Sequence, residues 1–422
     1  MNNSLKFSVK DIMTYIAILM IIISSGSMFF TIMNVQNTLY SLLIVSALTP
    51  VIVGINRKQF FQNLGVLLII LVVIGFNLLV NSQYAVLDKN IIILLMRLVS
   101  LCIIQSCITY ERFVKCYVKI MVALSIVSLL CFAYTMTIGP SLPLLIEKTK
   151  NGIQHYYTFY HTVGYRMVYT RNAGIFWEAP AYAIFLNIAL LMLICNMSYF
   201  DEKKVMRYFI ILSVTVFTTL SVYAFLSYAL VVVLLVMKLI KTRRSDEREV
   251  LKKDANERKK SRKTSRAFII IGIFAVVALC FVENKYGIIS HKLVNRGGSF
   301  TTRQNDTLYS LMVASQRLWA GYGIFNNYSV GALSALGVVN NSNGYMVLLI
   351  AVGLPILFIS SVYCMRNILN GFMISKLEAV LVTVLFFLFY SSEHLWLFTL
   401  FISFFFRWKN HPVKSEKSGG VR

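Results

Sequence analysis

Two long polar segments of this 422-residue chain hold the residues best suited to chemistry, and both are rich in arginine. The first, 139–174, places Arg166 and Arg171 among five tyrosines, and Glu178 follows just inside an apolar stretch. The second, 284–344, carries Arg296, Arg303, Asp306 and Arg317 ahead of Gly321 and Gly323. A guanidinium group stays charged at any pH and makes two-point contacts with phosphate, so this set suits recognition of a diphosphate. A carboxylate at the mouth of an apolar helix is costly unless it faces a polar cavity or a partner. Glu178 is therefore the first candidate for a general base and Asp306 the second. Arg171 lies close enough along the chain to pair with Glu178, and a plain ion pair that pins the loop is the competing explanation. The tyrosines read mainly as an interfacial belt, with stacking on sugar rings as the alternative.

These residues need elements to hold them, and composition says which kind. The chain is 58% hydrophobic and only 14% charged, with a mean hydropathy of +0.70. Soluble domains carry about a quarter charged residues, so a globular cytosolic enzyme fits poorly. The net charge of +24 is dispersed between apolar runs, which excludes a nucleic-acid partner and points to the lipid bilayer. Apolar runs of membrane length fall at 12–32, 38–55, 64–80, 91–109, 117–138, 175–198, 205–220, 223–240, 267–283, 345–364, 377–391 and 393–407. The expected fold is an all-α integral membrane protein of about 12 transmembrane helices with two long outer loops.

The stretch 205–240 is divided near Ser221–Tyr223 into two helices; one long tilted helix would reverse every later loop. Lys and Arg then cluster on one side: Arg57 and Lys58; Arg112, Lys115 and Lys119; Lys203, Lys204 and Arg207; Arg366 and Lys376. By the positive-inside rule that side is cytoplasmic, together with both termini. The resulting organisation is a five-helix bundle over 1–138, an outer loop 139–174, helices six to eight over 175–240 and a basic cytoplasmic loop 241–266. Helix nine (267–283), the outer loop 284–344, helices ten to twelve (345–407) and a basic tail (408–422) follow. Within the second loop, Leu308, Leu311, Met312, Ser315 and Trp319 recur at helical spacing and predict an amphipathic helix. Lys6 and Lys10 precede an apolar stretch too long for a signal peptide, so the first helix is read as retained.

Other signals are weak or absent. Cys102, Cys107, Cys131, Cys195, Cys280 and Cys364 lie in or beside apolar runs and Cys116 in a short basic loop, a pattern of buried thiols rather than disulfides. His155 and His161 are poor evidence for a metal, and no nucleotide loop, serine-hydrolase elbow or zinc motif occurs. Neither a metal nor another cofactor is expected. Arg97, inside IIILLMRLVSL, must pair within the bundle, with a partner the sequence does not name.

Taken in order, several elements resemble the O-antigen polymerase and ligase superfamily of bacterial envelope enzymes, in particular Wzy-type polymerases. Arg171-x-x-Gly174-x-Phe176-x-Glu178 is similar to that family's R-x-x-G-x-F-x-E-P-G element, with Ala179-Pro180 in place of Pro-Gly. Arg303, Arg317, Gly321-x-Gly323, the SxNGY-like run Asn341-Ser342-Asn343-Gly344-Tyr345, and Gly353 follow. Ligases of the superfamily tend to carry histidine where Ser342 stands, which favours polymerase. The resemblance implies a GT-C-like fold in the bacterial cytoplasmic membrane. It implies glycan transfer, on the outer face, from an undecaprenyl-diphosphate-linked oligosaccharide to another lipid-linked unit, without metal or nucleotide sugar. Glu178, Arg171 and Arg303 would then be catalytic, and Arg166, Arg296, Asp306, Arg317 and Asn343 would bind substrate. A chain-length regulator protein would be a further partner. The alternatives are a ligase, a lipid-linked oligosaccharide flippase or other transporter, and a structural membrane protein; the last leaves the loop arginines unexplained.

Overall fold

A computed structural model of the chain describes residues 8–27, 35–83, 89–138, 146–150, 153–157, 162–164, 171–249, 298–324, 326, 328–338, 341, 343–372 and 374–408. Helices dominate: α1 (Val9–Ile23), α2 (Val35–Val53), α3 (Arg57–Val80), α4 (Lys89–Cys107) and α5 (Tyr110–Ile138) come first. A small antiparallel sheet follows, β1 (Ile146–Lys150), β2 (Ile153–Tyr157) and β3 (Thr162–Gly164), with Ile146 opposite Tyr157 and His155 opposite Gly164. Then come α6 (Ala179–Cys195), α7 (Glu202–Thr218), α8 (Val222–Glu249), α9 (Gly298–Ser315), α10 (Tyr328–Ala335), α11 (Gly344–Gly371), α12 (Lys376–Ser392) and the short α13 (Thr399–Ile402).

Among the described residues six helices, α2, α3, α4, α5, α8 and α11, are long and apolar enough to cross a membrane, which makes this a multi-pass membrane protein. Burial agrees with an apolar solvent. α3 buries Asn63, Leu67 and Asn77, whereas its Ile69, Val72 and Leu79 are 65%, 70% and 77% exposed. A helix in water would point its apolar stripe inward; in lipid the tails are as apolar as leucine, and the polar side chains turn to one another.

The chain divides into two compact units, Met1–Ile120 with Thr302–Met373 and Phe389–Arg422, and Met121–Thr301 with Ile374–Leu388. In the second unit α6 is buried along its length and packs against α7 and α8. The break in the 205–240 stretch falls at Thr219–Ser221, where Leu220 takes a positive φ of 46°, so two helices form there as the sequence reading requires. α8 then continues through Glu249, into the charged run read as a cytoplasmic loop; 250–266 and the helix expected at 267–283 lie outside the described residues. Cys116, placed by sequence in a loop, is buried on α5 instead, because the helix begins at Tyr110 and carries the basic residues outward on its first turns.

The first unit contains two interruptions. α11 breaks at Gly353 (φ 76°, ψ 169°), two residues before Pro355. Proline offers no amide to Ala351, and the break frees the carbonyl of Ile350 and the amide of Leu354. The turn at 318–324 takes up all three: the Tyr322 and Gly323 amides donate to Ile350 and Ala351 at 2.8 and 2.9 Å, and Leu354 donates to the Leu318 carbonyl at 2.7 Å. Asn77 and Asn81 of α3 and its end stitch the turn further: the Ile324 amide donates to Asn77 Oδ1 at 2.9 Å, and Asn81 Nδ2 donates to the Ala320 carbonyl at 3.2 Å.

The second interruption corrects the expected last helix. Residues 393–407 do not form one span; α13 is flanked by 3-10 turns at Leu395–Leu397 and Ser403–Phe405. Its loose carbonyls are met by side chains. Arg97 donates to Leu397 and, at 3.4 Å, to Ser24; Gln105 donates to Ser403 at 2.9 Å and Asn367 to Phe405 at 3.1 Å. Asn63 exchanges two bonds with the main chain of Arg407, each 3.0 Å, and Trp408 stacks on Phe113 with centroids 3.9 Å apart. α1, likewise, ends at Ile23, short of the residue 32 expected for it, and residues 28–34 lie outside the described residues.

The α11 break should tolerate no side chain at Gly321. A Cβ there would lie 2.5 Å from the Ala351 carbonyl oxygen, on a backbone with φ of 66°. Gly321→Ala should cost at least about 1–3 kcal/mol and lower the melting temperature in detergent. Gly75→Ala, where a Cβ meets open space within α3, should be neutral or stabilising by up to roughly 1 kcal/mol. Equal melting of the two variants would contradict the packed break.

Candidate functional site

Each unit contains one polar cluster built from residues that the sequence singles out. In the second unit the cluster is the 171–178 loop. Asn172 is its anchor, fully buried: its amide donates to the Thr218 carbonyl at 2.9 Å, and its Nδ2 donates to Thr218 Oγ1 and Ser128 Oγ at 3.1 Å each. Its Oδ1 accepts from the Gly174 amide at 2.9 Å, which closes a tight turn. Gly174 sits at φ 54°, and a Cβ would come 2.7 Å from the Tyr182 ring. Phe176 then drops into the core against Tyr182 and Phe185.

The two charged ends of this loop find different partners. Arg171 Nε donates to the Thr219 carbonyl at 3.1 Å, at the C-terminal end of α7, where a cation is favourable. Glu178 is the N-cap residue of α6, and its Oε1 accepts from the Trp177 indole at 3.0 Å. A carboxylate is likewise favoured at a helix N-terminus. The loop pinned by an Arg171–Glu178 pair is thus replaced by a loop pinned by Asn172 and by arginine-to-backbone bonding. The Nε–H of Arg171 is thus engaged in holding the end of α7.

In the first unit the cluster lies along α9. Asp306 is buried, 3% exposed, and Ser310 one turn on donates to its main-chain carbonyl. Leu308, Leu311 and Met312 of α9 are exposed, as is Trp319 in the turn beyond it, while Asp306 and Ser310 are buried. Asn341 Nδ2 donates to Ser310 Oγ at 2.6 Å, and Asn341 Oδ1 accepts from the Asn343 amide at 2.9 Å. Asn343 caps α11: its Oδ1 accepts from the amides of Tyr345 and Met346 at 3.1 and 3.3 Å, and its Nδ2 donates to Thr307 Oγ1 at 3.3 Å. Gly344 is required because a Cβ would sit 2.3 Å from the Glu393 carbonyl oxygen.

One further residue joins this cluster that sequence reasoning missed. His394, in the turn after α12, reaches the main-chain carbonyl of Asn341 through Nε2. Burial lowers its pKa from the ordinary histidine value, partly offset by the Asn341 carbonyl and by the Asp306 charge. The only advance signal was a histidine inside the apolar run 393–407.

Of the remaining candidates, Arg317 lies over the Tyr322 ring at 5.6 Å, while Tyr322 Oη donates to Gln316 at 2.9 Å. Arg303 falls on α9, three residues before Asp306. Arg166 and Arg296 lie outside the described residues. Among the described residues no group of three or more His, Cys, Asp and Glu side chains is arranged to hold a metal. No protein-family model, curated protein or solved structure matches the chain.

The loop account makes Asn172 a stability residue. Asn172→Ala leaves the Gly174 amide without its side-chain acceptor, removes the bonds to Thr218 Oγ1 and Ser128 Oγ, and should cost on the order of 1–3 kcal/mol. A melt in detergent that matches the unsubstituted chain would show that the loop is held by something else.

Proposed function

We propose that this chain is a bacterial envelope polysaccharide polymerase with about twelve spans, a GT-C-like fold and both termini in the cytoplasm. It transfers glycan from undecaprenyl diphosphate to a lipid-linked acceptor at the outer face. The reading is supported above all by one observation: Asp306 is buried one turn before Ser310, whose hydroxyl accepts from Asn341, and Asn341 in turn meets Asn343 and His394, in a chain otherwise adapted to lipid. Ionisable residues in such surroundings are expensive and mark substrate chemistry.

The reaction asks for three things. The acceptor hydroxyl oxygen forms a bond to the anomeric carbon, and the carbon–oxygen bond to diphosphate breaks, its electron pair going to the diphosphate. The hydroxyl proton passes to a basic group, which this reading places in the Asp306 cluster rather than at Glu178, the cap of α6. The charge gathering on the leaving diphosphate needs fixed cations in a water-poor site. This reading assigns that role to Arg303, three residues before Asp306 on α9. Asn341 and Asn343, held rigidly between α9 and α11, offer amide groups for sugar hydroxyls.

The purified chain in liposomes, given an undecaprenyl-diphosphate oligosaccharide, should build a ladder of repeat units on a gel. Arg303→Lys, with its single point charge, should lose about 2–4 kcal/mol of transition-state stabilisation, roughly 30- to 1,000-fold in rate, at normal protein level. Passage of intact lipid-linked oligosaccharide across the bilayer without new glycosidic bonds would favour the flippase instead. A full ladder from Arg303→Lys would remove the clamp.

A further inference from the structure

The Asn341 carbonyl determines which nitrogen of His394 can act. A carbonyl oxygen only accepts hydrogen bonds, so the Nε2 that meets it must carry hydrogen, and the neutral ring keeps its lone pair on Nδ1. The residue reaches this carbonyl from 53 positions along the chain, because Gly344 lets the start of α11 lie directly against the Tyr390 and Glu393 main chain. His394 is thereby fixed to a segment whose other members are themselves fixed: Asn341 by Ser310 of α9, and Asn343 by Thr307 and its own helix cap. Asp306 belongs to the same face of α9, and its negative charge favours a protonated ring.

We infer that His394 is the general base of glycan transfer: its Nδ1 takes the proton of the acceptor hydroxyl, while the Asn341 carbonyl orients the ring and Asp306 stabilises the imidazolium. This inference rests on the polymerase reading above. As the acceptor oxygen bonds to the anomeric carbon, its proton moves to Nδ1 and the diphosphate departs with the electron pair of the broken bond. The imidazolium then returns its proton to water. In this step Asp306 acts on the ring through its charge and is not the group that receives the proton. The adjoining elements also carry Arg303 and Tyr309 on α9, Glu393 in the same turn, Arg97 of α4, which donates to Leu397, and Tyr345 of α11 and Tyr390 of α12, whose rings lie 5.5 Å apart.

The test is the rate–pH profile of polymer formation by the full chain in liposomes. A protonated ring cannot accept a proton, so the rate should fall as pH drops through the His394 pKa. His394→Gln keeps a donor for the Asn341 carbonyl and removes the base. It should retain the melting temperature, lose at least about a hundredfold in rate, and show no acid limb of that kind. Asp306→Asn, with the histidine in place, removes the charge that raises its pKa, so the acid limb should move to lower pH. A His394→Gln rate and acid limb like those of the unsubstituted chain would overturn the inference and leave the polymerase standing. If His394→Gln fails to fold, an Asp306→Asn limb that does not move would overturn it equally. An unsubstituted chain that forms no glycosidic bond would sink the polymerase reading, and this inference with it.

Discussion

A peptide group in an apolar surrounding must find a partner inside the protein, and the architecture of the first unit depends on that requirement. An unpaired amide or carbonyl costs several kcal/mol in lipid, so irregular backbone survives there only where protein satisfies it. Among the described residues of this unit, helix is interrupted at Gly353 in α11 and through 393–407, and the missing partners are supplied by two routes. At Gly353 main chain meets main chain, with glycines at 321 and 353 allowing the approach. Along 393–407, side chains of Arg97, Gln105, Asn367 and Asn63 do the same work.

The two interruptions also shape the candidate site. Because α11 is bent and held at Gly353, its first turns are set by the 318–324 turn and by contact with the Glu393 main chain. Because 393–407 is not a straight helix, His394 occupies a turn and can reach Asn341. Had either segment been regular, the imidazole and the Asn343 cap would have no common neighbour.

Much of this is legible in the sequence, and the part that is not has a physical cause. Apolar length gives most of the helices, and a lysine and arginine pattern divides 205–240 near Ser221–Tyr223, within two residues of the break at 219–221. Helical spacing gives α9, and a polar residue in an apolar run marks Arg97 as paired. What sequence cannot show is that Arg97, Arg171, Asn63 and Gln105 bond to main-chain carbonyls. Every residue has a carbonyl, so such partners leave no trace in residue type, and a search for carboxylates opposite Arg171 finds Glu178 instead. His394 escapes notice for a related reason: its contact is a carbonyl, and the charge near it comes from a different helix.

Amide hydrogen exchange across the α11 break tests the central claim most directly. In detergent or nanodiscs, the amides of Tyr322, Gly323, Ile324 and Leu354 should be protected like those of the flanking α11 turns, because each donates to an acceptor within the protein. Replacement of Asn77 by leucine should release Ile324 first, while the rest of α11 keeps its protection. Exchange of these amides within seconds in the unsubstituted chain, at the rate of open coil, would contradict the account.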